Sequence, residues 1–156
     1  MQPDVAMGLH QLYLAKGAQA TTAIEGNTLS EQEVLQRIKG DLALPPSKEY
    51  LGQEVDNIVK ACNGIRDRLR EGSATITPEL VREFNGMALE KLTLDDGVIA
   101  GEVRRHSVTV GGVYRGAPAE DCEFLLDRLC EWLNGPDFRA AKGMEIVYAI
   151  IKAVVA

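Results

Sequence analysis

Aromatic side chains are scarce in this sequence, at 5% of 156 residues, so the core is predicted to be mainly aliphatic. Cysteine is limited to Cys62, Cys122 and Cys130. That odd set lacks the close Cys-x-x-Cys spacing of a zinc site, and its members read as small hydrophobes on helix faces in a reducing compartment. No block of Lys or Arg stands out, and the net charge of −6 with a pI near 5.0 argues against a surface built to neutralise phosphates; no nucleic-acid partner is expected. His10 and His106 are the only histidines, and local spacing fixes no carboxylate beside His106, which reads as a polar residue of its loop. The start of the chain has neither the basic segment nor the apolar core of a secretory leader, which makes the cytoplasm the expected location. The most apolar stretch, 146–155, is too short and too interrupted by Glu145 and Lys152 to cross a membrane.

What the sequence does contain is helical periodicity. With 46% hydrophobic residues, one domain with a real core is expected. Val5, Leu9, Leu12 and Tyr13 recur at helical spacing, and 4–25 is predicted as one helix or as two separated near Gly17. The second half of this segment is thinly apolar, which suits a strip lying over a site. Ser30 and Glu33 form a capping box, Val34, Leu35 and Ile38 follow on one face, and Gly40 closes the element. After a loop stiffened by Pro45 and Pro46, with Ser47 as candidate cap, Leu51, Val55, Ile58, Cys62, Ile65 and Leu69 step by four and three. This is the longest predicted helix.

Thr77 as cap, Pro78 at the first helical position and Glu79 in the first turn open another helix, whose inward face is Leu80, Phe84, Met87 and Leu92. A helix over 118–133 points Cys122, Leu125, Leu126, Leu129, Trp132 and Leu133 inward before Asn134-Gly135-Pro136 stops it. The apolar helix over 146–155 runs to the end of the sequence without a cap. Its unfinished face leads us to expect a chain cut from a longer polypeptide, and a homo-oligomer formed through this helix when the piece stands alone.

Only 101–118 lacks helical periodicity. Val108-Thr109-Val110 and Val113-Tyr114-Arg115 flank Gly111-Gly112, a pair suited to the positive φ values of a two-residue turn. A short β-hairpin is predicted, leaning on the helices because an isolated hairpin is marginal. The fold class is therefore all-α, a bundle of about seven helices with one short hairpin.

The stretch from Thr21 to Asn27 reads as a helix end, with Gly26-Asn27 as its stop and Glu25 on the last turn. Backbone carbonyls crowd that position, so an exposed carboxylate there costs about 0.3–1 kcal/mol and a cation is expected to meet it. Thr21, four residues earlier on the same face, is placed to steady Glu25 through its hydroxyl. Asn27 reads as part of the helix stop rather than as a ligand contact.

These residues also carry a resemblance. Thr21, three intervening residues, Glu25 and Gly26 resemble the inhibitory motif of Fic-domain proteins, and the wider phrase from Tyr13-Leu14-Ala15-Lys16-Gly17 to Thr28-Leu29-Ser30 is similar to the N-terminal part of such proteins. Gly101-Glu102-Val103-Arg104 and Val108-Thr109-Val110-Gly111, with the return towards Pro118, resemble their flap, the hairpin that aligns a target polypeptide. The sequence departs from the family where Gly116-Ala117-Pro118 replaces the paired prolines that often follow the flap, and the signature His-x-Phe-x-(Asp/Glu)-Gly-Asn-Gly-Arg-x-x-Arg does not occur between Met1 and Ala156.

The resemblance implies that 1–156 is the N-terminal portion of a single Fic-like domain, with an inhibitory helix region at 1–29 and a flap at 101–118. It implies an autoinhibited protein adenylyltransferase, which moves AMP from ATP to a hydroxyl of a protein substrate. Thr21, Glu25 and Gly26 would be inhibitory, and Val108, Thr109, Val110 and Gly111 would dock the target. In the family the glutamate pairs with the second arginine of the signature and takes the place of the ATP γ-phosphate. ATP and magnesium are expected for the intact protein, with neither held by this chain alone, and no residue here is nominated as catalytic.

Two other readings stay open. One is a non-enzymatic, antitoxin-like module that places Glu25 in a partner's nucleotide site, although separate antitoxins of the family usually lack the flap. The other is a helical scaffold with no nucleotide connection, in which Glu25 would lie buried.

Overall fold

The computed structural model describes residues 3–73 and 75–155; Met1, Gln2, Ala74 and Ala156 lie outside them. The described residues form six α-helices and one antiparallel hairpin, in the order α1 (Pro3–Ile24), α2 (Glu31–Lys39), α3 (Glu49–Arg70), α4 (Pro78–Ala88), β1 (Thr109–Val110), β2 (Tyr114–Arg115), α5 (Cys122–Leu133) and α6 (Glu145–Val155). The count falls short of seven because α1 runs unbroken through Gly17. A glycine inside a helix costs only about 1 kcal/mol relative to alanine, and Ala15 and Ala18 on either side of it are both buried. Two compact units result, Met1–Ser73 with Asn85–Leu94, and Ala74–Phe84 with Asp95–Ala156.

In the first unit α1, α2 and α3 pack on one another. α1 and α3 are antiparallel: Arg66 near the end of α3 meets His10 in the first half of α1 at 3.1 Å, and Asn27 just past α1 bonds Leu51 at the start of α3. The core is aliphatic, built from Ala15, Ala18, Leu29, Val34, Leu51 and Val55. The thinly apolar half of α1 is thus a packing face and not an overlying strip. Small side chains let two helix backbones approach closely, so burial there does not require bulk.

The capping box of α2 forms as expected. The Glu33 amide donates to Ser30 Oγ at 3.3 Å and the Ser30 amide to Glu33 Oε2 at 2.8 Å, while Gly40 closes the helix at φ +82°. Ser47 caps nothing, because Pro46–Lys48 forms a turn of 3₁₀ helix that feeds directly into α3. Along α3 the predicted stripe holds at Leu51 and Val55. Beyond these Cys62, Ile65 and Leu69 are exposed, and Ala61 and Asn57 are buried instead. The spacing of that stripe is right for a packed face, but the cover present at Leu51 is missing towards Leu69.

α4 ends at Ala88, short of the predicted Leu92. Asn57 Nδ2 takes the carbonyls of Ala88 at 3.0 Å and Glu90 at 2.8 Å, and Lys91 turns the chain at φ +59°.

In the second unit Thr77 caps α4 as predicted, its hydroxyl accepting the Leu80 amide at 3.2 Å. The hairpin pairs Thr109 with Arg115 and Val110 with Tyr114. Gly111 and Gly112 take φ values of +60° and +71°, and the Val113 amide donates to the Val110 carbonyl at 3.3 Å. Val113 therefore belongs to a three-residue loop and not to the second strand. All four strand residues are exposed, so the hairpin does not lean on helices along its length.

α5 follows a 3₁₀ turn at Ala119–Asp121 and buries Cys130 and Leu133. Leu125 and Trp132, predicted inward, are exposed. Trp132 has local partners: its ring meets Phe138 edge-on at 5.0 Å and its indole N–H donates to Asp137 at 3.1 Å. Asn134 stops the helix by bonding the Ile76 backbone at both its N–H and its C=O. α6 buries none of its described side chains; Lys152 lies 5.8 Å over the Phe138 ring. No described helix is long and apolar enough to cross a membrane.

Candidate functional site

α1 ends by a double backbone closure. The Gly26 amide donates to Ala23 O and the Asn27 amide to Thr22 O, each at 3.1 Å, around Gly26 at φ +93°. This is the Schellman pattern, which removes two orphan carbonyls and suits glycine because no Cβ opposes the left-handed backbone. Glu25 stands in that turn, one residue past α1, and is exposed. Among the described residues no cation pairs with it.

Thr21 is exposed and forms no bond to Glu25, contrary to expectation, because the chain leaves the helical path after Ile24 and the spacing of four no longer stacks the two side chains. Thr22 is the inward residue, buried with its hydroxyl donating to Ala18 O at 3.0 Å.

Asn27 is the residue that sequence reasoning undervalued. It is 7% exposed, and its side chain makes three bonds: Oδ1 accepts the Leu29 amide at 3.0 Å, while Nδ2 donates to Leu51 O at 2.9 Å and to Glu54 Oε2 at 2.7 Å. The left-handed stop is Gly26 alone. No local spacing advertises a bond to residues 24 and 27 positions away; the one sequence signal is a polar residue set two positions before the buried Leu29.

In the second unit, the target-docking residues proposed from the sequence lie in and beside the hairpin. Thr109, Val110 and Gly111 are exposed and Val108 is half-buried, its carbonyl accepting the Gly116 amide at 3.0 Å. A Cβ at Gly116 would stand 3.0 Å from Val108 Cγ2 and 3.1 Å from Arg104 Nη2. Glycine there leaves room for Arg104 to reach under the hairpin, where its guanidinium bonds Cys122 Sγ and the Ala117 carbonyl and its Nε is buried without a partner. Arg104 is therefore a structural tie, and not the solvated surface charge that a flanking arginine usually is. Arg105 pairs with Glu102 at 3.0 Å, Arg115 is exposed, and the His106 ring lies beside Gly97.

An open hollow of about 580 Å³ is lined by Arg82, Arg104 and Arg105 with Glu102, Glu120 and Glu123. Arg82 is engaged by Glu123, Arg105 by Glu102 and Arg104 by a carbonyl, so these guanidinium groups do not form a phosphate cradle. Among the described residues no group of His, Cys, Asp and Glu is disposed to hold a metal ion. No protein-family model matches the chain.

Proposed function

We propose that this chain is the regulatory and target-docking portion of a Fic-type protein adenylyltransferase, with Glu25 as its inhibitory carboxylate. One observation carries the proposal: Glu25 projects from a turn closed by the left-handed Gly26 and anchored through Asn27, exposed and without a cation among the described residues. An exposed carboxylate on a fixed turn is suited to capture a guanidinium, because it offers the same bidentate geometry as a phosphate. A buried Glu25 would have favoured the helical scaffold.

In this reading a phosphate-binding loop outside these 156 residues supplies the guanidinium and binds ATP with magnesium. The residues of this chain contribute the competing carboxylate and the hairpin. The exposed strands Thr109–Val110 and Tyr114–Arg115 offer unpaired backbone edges to an extended protein substrate.

The test is labelling with isotopically marked ATP, using the complete gene product. Glu25→Gly should raise self-labelling or target labelling above wild type; equal labelling of the two would remove the inhibitory assignment. The antitoxin-like reading draws on the same free carboxylate, and it gains only if this chain co-purifies with a separate polypeptide bearing the signature.

A further inference from the structure

The two backbone bonds that close α1 are internal to its last turn, so they fix the shape of the turn and not its place on the molecule. Between the buried Thr22 and the buried Leu29, the described side-chain bonds that reach α3 both come from Asn27, through Nδ2 to Leu51 O and Glu54 Oε2. Glu25 projects two residues before this tie. We infer that Asn27 is the positioning residue for the Glu25 carboxylate, holding the turn against the first turns of α3 so that the acidic group stays aimed at its guanidinium.

The inference rests on the inhibitory reading of Glu25 and adds the element that regulation would act through. A bidentate pair tolerates a displacement of only about 0.5 Å before its geometry fails. A turn freed from α3 therefore loses its grip although its carboxylate is intact. Asn27 is suited to the task because one buried amide accepts from a backbone donor on its own segment of chain and donates to two acceptors on another element.

The experiment pairs labelling of the complete gene product with hydrogen exchange of the backbone amides. Asn27→Ala, which removes all three bonds of the side chain, should raise labelling about tenfold or more. Combined with Glu25→Gly it should add nothing, since both changes act through one carboxylate. Glu54→Gln, which keeps an amide oxygen as acceptor, should remain near wild type. In exchange, the amides of Gly26 and Asn27 should lose protection in Asn27→Ala while those of Val55 and Ile58 keep theirs.

Should Asn27→Ala not fold, Asn27→Ser replaces it: its hydroxyl can still accept the Leu29 amide but is too short to reach Leu51. A folded variant with wild-type labelling, beside an activated Glu25→Gly, overturns the positioning role and leaves the inhibitory reading standing. If Glu25→Gly itself is silent, the reading beneath the inference fails. In that case unchanged exchange at Gly26 and Asn27 also overturns the tie, and faster exchange there retains Asn27 as the anchor of the turn.

Discussion

At the scale of single residues, the first unit is held by polar side chains that finish backbone hydrogen bonding. Asn57 is 2% exposed; its Nδ2 takes two carbonyls at the end of α4 and its Oδ1 accepts from Gln53 at 2.8 Å. Asn57→Ala leaves those half-buried carbonyls without their donor, and we expect a loss of about 1–3 kcal/mol in urea unfolding. Arg37 works differently. Its Nε and Nη2 grip Asp56 at 3.1 and 2.7 Å and its Nη1 meets Glu49 at 3.1 Å. Hydrogen bonding to Asp56 holds the guanidinium charged well above its usual range. Gly52 admits it, since a Cβ there would stand 3.0 Å from Arg37 Cζ.

Glu33 gives a pH dependence of definite sign. The Ser30 hydroxyl, then the Ser30 backbone amide, lower its pKa below the ordinary glutamate value. The folded form binds that proton less readily than the unfolded chain, so the capping box contributes fully above about pH 4.3. Its contribution is lost as pH falls through the depressed folded value. Stability measured against pH should fall in that acid window, and Glu33→Gln should flatten the fall.

At the scale of elements, helix ends follow a single device. α1, α2 and α3 each stop at a glycine with φ between +82° and +93°, followed by a residue whose amide reaches back to the last turn. Glycine inside a helix does the opposite, which permits a paired test. Gly17→Ala has open space around it and should stabilise α1 by about 0.5–1 kcal/mol. Gly26→Ala also meets nothing, yet it should destabilise by about 1–2 kcal/mol because the left-handed backbone opposes any Cβ. Thermal melts of the two variants should therefore shift in opposite directions from wild type. The stops at Gly26 and Gly40 were legible in the sequence to within a residue or two. The end of α4 was not, because it depends on Asn57, which comes from another helix.

At the scale of the whole molecule, α6 is the feature with consequences for association. Ile146, Ile150 and Val154 form a stripe at spacing four and are 78%, 60% and 80% exposed. With the exposed Val147, Ile151 and Val155 they present a contiguous apolar face of the kind that marks an association surface. Paired antiparallel with a second copy, Glu145 would face Lys152 across the twofold axis. The isolated chain should elute in gel filtration ahead of its 17.0 kDa monomer and shift on dilution. Ile150→Glu should restore the monomer, and a dilution-stable monomer in the unmodified chain would contradict this use of α6.

What the sequence determined by itself was the local physics. Periodic apolar residues, the Ser30–Glu33 box, the Thr77–Pro78 start and the Gly111–Gly112 turn needed only neighbours within four residues, and each formed nearly where the spacing placed it. Only tertiary structure decided the rest. It buried Ala15 and Ala18 as a contact face, left Leu69 and Trp132 exposed, drew Arg104 beneath the hairpin and turned Asn27 into a tie between elements. The physical reason is range: a helix cap is satisfied within one turn of chain, whereas a buried amide or guanidinium finds its partners only after distant segments have packed.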